Sequence, residues 1–145
     1  MRIDKLTTKF QEALSDAQSL ALGNDHAYID PLHLLAAMLR QNDGPKALLE
    51  RAGANVAAMS TAVENAVKQL PQVTGQDQVQ VGPDLAKLLQ ATEKEAIKRG
   101  DQFIASELFL LALADSDTKA AKIAKDNGLN RKAMEAAISL VRGGK

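Results

Sequence analysis

The side chains able to act as acids, bases, nucleophiles or metal ligands are few and scattered. The only two histidines are His26, in an Asn24-Asp25 turn, and His33, in the first turn of the helix that follows. They show no His-x-x-x-His spacing and no carboxylates arranged as co-ligands. A helix N-terminus disfavours protonation of His33, so both imidazoles read as structural or solvated groups. Glu93 and Glu95 lie two apart on a helix and cannot face each other. Asp115 and Asp117 flank a loop and read as capping groups. The chain contains no cysteine, which removes disulfides, thiolate metal sites and a thiol nucleophile. It also has no Gly-x-x-x-x-Gly-Lys-Ser/Thr loop to cradle a phosphate. With no nucleophile, base and orienting group in one constellation, this chain reads as a binding domain and not as an enzyme.

Charge narrows the possible partners. Eighteen basic and eighteen acidic residues give a formal net charge of zero. The halves are balanced too, with 7 basic and 8 acidic residues up to Leu70 and 11 and 10 after it. Lys98-Arg99 and Arg131-Lys132 are short and have acidic neighbours, so they read as solvated faces. Neither a nucleic acid nor an anionic membrane is the expected partner. No apolar run approaches the roughly 20 residues that cross a bilayer, and the opening has no signal-peptide core. A length of 145 residues with 46% hydrophobic content fits one soluble, cytoplasmic domain with its own core.

The elements that must position these residues read as helices throughout. Ala, Leu, Lys, Gln and Glu dominate, while aromatic residues make up 3%, which favours helix over strand. Phe10, Leu14, Ala17 and Ala21 mark one face of a helix over 8–22. Leu85, Leu89, Thr92 and Ala96 do the same over 84–99. Asp30-Pro31 caps and opens the second helix, and Pro45 opens a short one that Gly53 closes. Asn55 caps a helix running to about Gln69, and Ser106 begins a sixth. Asp117 is expected to cap a seventh that Gly128 ends, and Asn130 the last. The sequence predicts an all-α domain of about eight helices with no strand, and a polar surface linker over 71–82.

An internal repeat orders that list. At an offset of 75 residues the halves register without a gap, with ten identical pairs including Leu14/Leu89, Ile29/Ile104, Leu35/Leu110, Gly53/Gly128 and Asn55/Asn130. So low an identity is persuasive only because caps, C-terminal glycines and core positions match at the same offset. The chain therefore reads as a single domain over 1–145, made of two pseudo-twofold-related four-helix repeats at about 6–70 and 83–142.

Differences between equivalent positions point to a binding surface. His33 is expected near the surface, so its counterpart Leu108 should present an apolar side chain there. Leu88 replaces Ala13, and Phe109 replaces Leu34; these two either extend the patch or fill a rearranged core. Leu89 also belongs to the core stripe. Thr7, Asp101 and Glu107 border the region, although alone they read as an N-cap hydroxyl, a turn carboxylate and a first-turn carboxylate.

The repeat, the opening Met1-Arg2-Ile3-Asp4-Lys5-Leu6-Thr7-Thr8-Lys9-Phe10-Gln11-Glu12-Ala13-Leu14, Asp30-Pro31-Leu32-His33-Leu34-Leu35, Leu70-Pro71-Gln72-Val73 and Arg99-Gly100-Asp101-Gln102-Phe103-Ile104-Ala105-Ser106-Glu107-Leu108 together resemble a known family. It is the double Clp N-terminal repeat of the Clp/Hsp100 unfoldases, in the form of the bacterial ClpB-type disaggregases. One departure is Ala105, where that pattern carries Ser; this weakens the expected cap of the sixth helix. The resemblance implies a domain that weakly engages unfolded or aggregated polypeptides through an apolar groove, with Thr7, Leu89, Asp101, Glu107 and Leu108 lining or bordering it. It also implies a hexameric parent whose ATPase modules use ATP and Mg and work with a DnaK-type chaperone system. Residues 143–145 would begin the tether to those modules, this chain would carry no cofactor, and the isolated domain would be a monomer. An adaptor- or peptide-docking domain of a protease-linked or secretion-sheath-recycling relative is the alternative within the same family.

Overall fold

In the computed structural model, which describes residues 2–75 and 77–143, eight α-helices follow a short 3-10 turn at Ile3–Lys5. They are α1 (Thr8–Gly23), α2 (Pro31–Arg40), α3 (Lys46–Arg51), α4 (Val56–Lys68), α5 (Pro83–Arg99), α6 (Ser106–Ala114), α7 (Lys119–Asp126) and α8 (Arg131–Val141). Their starts follow the expected capping chemistry. Thr7, Asp30, Asn55 and Asn130 each accept a backbone N–H of the first turn. Asp117 does not cap α7; Thr118 does, with its hydroxyl accepting from Ala121 N at 3.2 Å. As the Ala105 departure implies, α6 has no side-chain cap.

The two central helices, α2 and α6, form the core. Pro31 to Leu39 are all buried, and so are Ser106 and Leu108 to Leu113. A helix apolar on every side must be surrounded. α1 packs on α2, and α5 packs on α6. The shorter helices then cross between repeats: α3 lies against α8, and α7 against α4. The 75-residue offset converts one of these contacts into the other, so each repeat completes its partner. The loops after α3 and α7 meet tightly. Gly53 and Gly128 have φ of +90° and +103°, and a Cβ on Gly128 would stand 2.8 Å from the Cα of Ala54. Both conditions require glycine there.

Short extended pairings depart from the purely helical expectation, among them an antiparallel bridge between His26 and Gln72. β1 (Tyr28–Ile29) and β2 (Gln80–Val81) run parallel, with Tyr28 opposite Gln80 and Ile29 opposite Val81. A parallel bridge also joins Leu6 to Ile104. The parallel pairings are one feature repeated, because adding 75 to Leu6 gives Val81 and subtracting 75 from Ile104 gives Ile29. Part of the expected linker is thus structural. Val79 is buried, and Val73 N donates to Asp25 O at 2.7 Å, laying the chain over His26. Of the expected tether, Gly144 and Lys145 lie outside the described residues.

Candidate functional site

The helix faces place Leu14 and Leu89 differently from the simple stripe. The positions buried deepest are Phe10, Ala13, Ala17 and Ala21 on α1, and Leu85, Leu88, Thr92 and Ala96 on α5. Leu14 and Leu89 are only half-buried and flank the core. Between α1 and α5 this leaves a groove of about 500 Å³. Its apolar lining is Ile3, Leu6, Leu14, Ile29, Val81, Ala86 and Leu89, and its polar lining is Gln11, Ser15, Gln18 and Gln90. Among the described residues, no lining side chain is charged. The side-chain amide of Gln11 is held by the carbonyls of Ile3 and Leu6, at 3.2 and 3.0 Å.

The patch expected around the second repeat is different. Leu108 and Phe109 are completely buried and Leu88 nearly so, so Leu108 does not present its side chain to solvent. The reason is continuity: Leu108 to Leu113 form one apolar run in a helix enclosed by its neighbours. The exposed apolar side chains of this repeat are instead Ile97, Phe103, Leu140 and Val141, the last two 67% and 62% exposed.

Thr7, Asp101 and Glu107 are brought near one another, on a separate polar face. Asp101 and Glu107 both receive the guanidinium of Arg142, at 3.0 and 3.3 Å. Thr7 N donates to Ile104 O at 3.0 Å, and Thr7 and Glu107 share a shallow depression with Ala105, Ser106 and Val141. Of the seven residues singled out in the sequence, the structure therefore puts Leu89 in the groove, Thr7, Asp101 and Glu107 on the polar face, and Leu88, Leu108 and Phe109 in the core. Sequence reasoning missed Ile3, Leu6, Leu14, Ile29 and Val81. The signal for Leu14 was its identity with Leu89 at the repeat offset.

His33 is also not at the surface. It is buried together with His26, and the rings meet at 2.8 Å through His26 Nδ1 and His33 Nε2. The backbone N–H of Asp30 donates to His33 Nδ1 at 2.8 Å, so this nitrogen carries no proton. The His33 proton then sits on Nε2 and is donated to His26 Nδ1. Burial, reinforced by the neighbouring imidazole, depresses His33 to a pKa of about 4. Burial also lowers His26, and both rings are neutral near pH 7. Among the described residues no group of three or more metal-ligating side chains occurs.

This architecture has known counterparts, and the chain belongs to the family of the Clp repeat N-terminal domain, matched over residues 5–127. It is 45% identical to the chaperone protein ClpB of Pseudomonas putida over 99% of this chain, and spans 17% of that protein's length. The fold is shared with the Hsp104 N-terminal domain of Candida albicans, with a TM-score of 0.83, 22% identity and coverage of 97% of this chain and 93% of that one. It is shared too with a ClpV N-domain solved in complex with a VipB peptide, with a TM-score of 0.76, 24% identity and coverage of 99% and 90%. The chain is thus an N-domain of the Clp chaperone type.

Proposed function

We propose that this domain holds unfolded or aggregated polypeptide in the groove between α1 and α5. The observation that carries this reading is the groove's chemistry: seven aliphatic side chains beside amides and a hydroxyl, with no charge among the described lining residues. Aliphatic walls suit the apolar segments that folded proteins hide, and uncharged hydrogen-bonding groups suit a peptide backbone of any sequence. A shallow site of this size gives micromolar to millimolar affinity. In a hexamer, several tethered copies would raise the effective concentration and make such contacts useful. ATP- and Mg-dependent modules of a longer cytoplasmic protein, working beside a DnaK-type system, would then draw the chain away. Leu89 is the contact retained from the sequence reading, with Thr7, Asp101 and Glu107 forming a second, polar contact on the adjoining face. The N-domain with a bound peptide among its structural relatives supports polypeptide as the ligand class.

Docking of one particular partner is the second reading. It rests on the Asp101–Arg142–Glu107 face and the exposed Leu140 and Val141 beside it. An NMR titration with a permanently unfolded, apolar-rich polypeptide separates the two. The groove reading expects shifts at Ile3, Leu14, Val81 and Leu89 that disappear in Leu14→Asp and Leu89→Asp. Both side chains are half-buried at the edge of the core, so circular dichroism is read first to show that each variant is folded. The absence of shifts at millimolar polypeptide would overturn it.

A further inference from the structure

The groove is built on the pseudo-twofold axis. Eight of its eleven lining residues form four pairs at the 75-residue offset: Leu6 with Val81, Gln11 with Ala86, Leu14 with Leu89, and Ser15 with Gln90. A surface that contains both members of each pair is carried onto itself by the axis, which therefore emerges through the groove. A chain lying across such an axis is turned end for end by the rotation. We infer that the groove accepts an apolar polypeptide segment in both N-to-C directions, with little preference between them. This inference rests on the proposed polypeptide-binding reading and states its specificity.

The match between the halves is best at Leu14 and Leu89, both half-buried, whereas Leu6 is buried and its counterpart Val81 exposed. Two pairs are aliphatic on both sides, and Ser15 and Gln90 both offer hydrogen-bonding groups. Only Gln11/Ala86 sets a polar group against an apolar one, and the Gln11 amide is already occupied by the Ile3 and Leu6 carbonyls. Ile3, Gln18 and Ile29 line the groove without a partner from the second repeat, so the first repeat contributes more of the lining. A difference of one hydrogen bond corresponds to about fivefold in affinity, which sets the scale of the residual bias. The occupant is an uncharged segment, because no lining side chain offers a counter-charge to fix its direction. A receptor indifferent to direction doubles the registers in which an unfolded chain can be caught.

The test uses a short uncharged peptide of Leu, Val, Ser and Gln, carrying a nitroxide at its N-terminus or its C-terminus, and the same peptide with its sequence reversed. With the methyl groups of the domain labelled, either tag should broaden Leu14 and Leu89 to a similar degree, and likewise Leu6 and Val81. The reversed peptide should bind within about fivefold of the original. If the N-terminal tag broadens one member of each pair and the C-terminal tag the other, the site is directional and the inference is overturned while the groove reading stands. If neither peptide perturbs the groove at all, the groove reading itself is overturned.

Discussion

The two repeats share a backbone plan and differ most where α2 and α6 begin. In the first, Asp30 caps α2, His33 closes the capping box through Asp30 N, and His26 meets its ring in a buried, tilted hydrogen-bonded pair. In the second, the corresponding residues are Ala105, Leu108 and Asp101. The cap is gone, Leu108 fills the core, and Asp101 turns to Arg142, whose own counterpart is the buried Val67. One repeat solves its helix entry by burying neutral hydrogen-bonding groups, the other by aliphatic packing under a half-exposed ion pair. The same fold therefore has one pH-sensitive half and one charge-bearing half.

Substitutions that exchange these solutions should show how independent the halves are. Leu108→Asp buries an unpaired carboxylate and should cost more than about 4 kcal/mol, abolishing the helical circular-dichroism signal or moving urea unfolding to very low midpoints. A folded Leu108→Asp domain would mean that α6 is not enclosed. Next is pH. His33 binds its proton at about pH 4 in the folded domain against about 6.5 unfolded, so the unfolded state holds more protons in between. Its contribution, up to about 3 kcal/mol, is full above pH 6.5 and is lost as pH falls towards 4. His26 acts with the same sign. Asp30, whose carboxyl is raised by burial, acts with the opposite sign, its stabilising share being lost as pH rises through its folded pKa. His33→Leu should cost about 2 kcal/mol at pH 8, by stranding Asp30 N–H and His26 Nδ1, and should flatten the urea-midpoint profile between pH 7.5 and 4.5. An unchanged profile would place the titration elsewhere.

Arg142→Val, which imports the first repeat's residue, leaves Asp101 and Glu107 without their shared cation. The half-exposed pair makes this a loss of about 1 kcal/mol, read as a small shift in urea midpoint that shrinks in high salt. The smallest effect has the opposite sign. Ala105→Ser offers α6 a hydroxyl cap at an extended residue with φ −90° and ψ 153°, and should stabilise by about 1 kcal/mol, visible as a rise of a few degrees in Tm. No gain would mean that the end of α6 is satisfied by the packing around it.

Local chemistry made much of this legible. Caps at Asp30, Asn55 and Asn130, a proline opening α2 and glycines closing α3 and α7 are properties of adjacent residues, and the repeat offset grouped the eight helices into two units of four. The misjudged residues depended on what lies above a helix face. Leu14 and Leu89 sit at core-like spacing, yet both step into the groove because Ala13 and Leu88 point more directly inward. The periodicity of 3.6 cannot separate neighbours on one stripe. His33 reads as exposed in the sequence, yet it lies in the fully enclosed stretch of α2 and meets the buried His26, itself paired with Gln72 of a distant segment. The unbroken run Leu108 to Leu113 did announce a helix enclosed on all sides, and weighs more than the polarity of the residue opposite Leu108 in the repeat. The groove needed both repeats in place, since no single helix contains it.

The crossing of α3 onto α8 and of α7 onto α4 has a consequence during synthesis. When the ribosome has released the first repeat, α4 still lacks α7, and α3 lacks α8. At about 5–20 residues per second, the 75 residues to the equivalent point take roughly 4–15 s. Throughout that interval the nascent first repeat exposes the apolar faces that the second will cover. A domain proposed to hold unfolded chains is thus, for the first seconds of its existence, an unfolded chain of the kind it would bind.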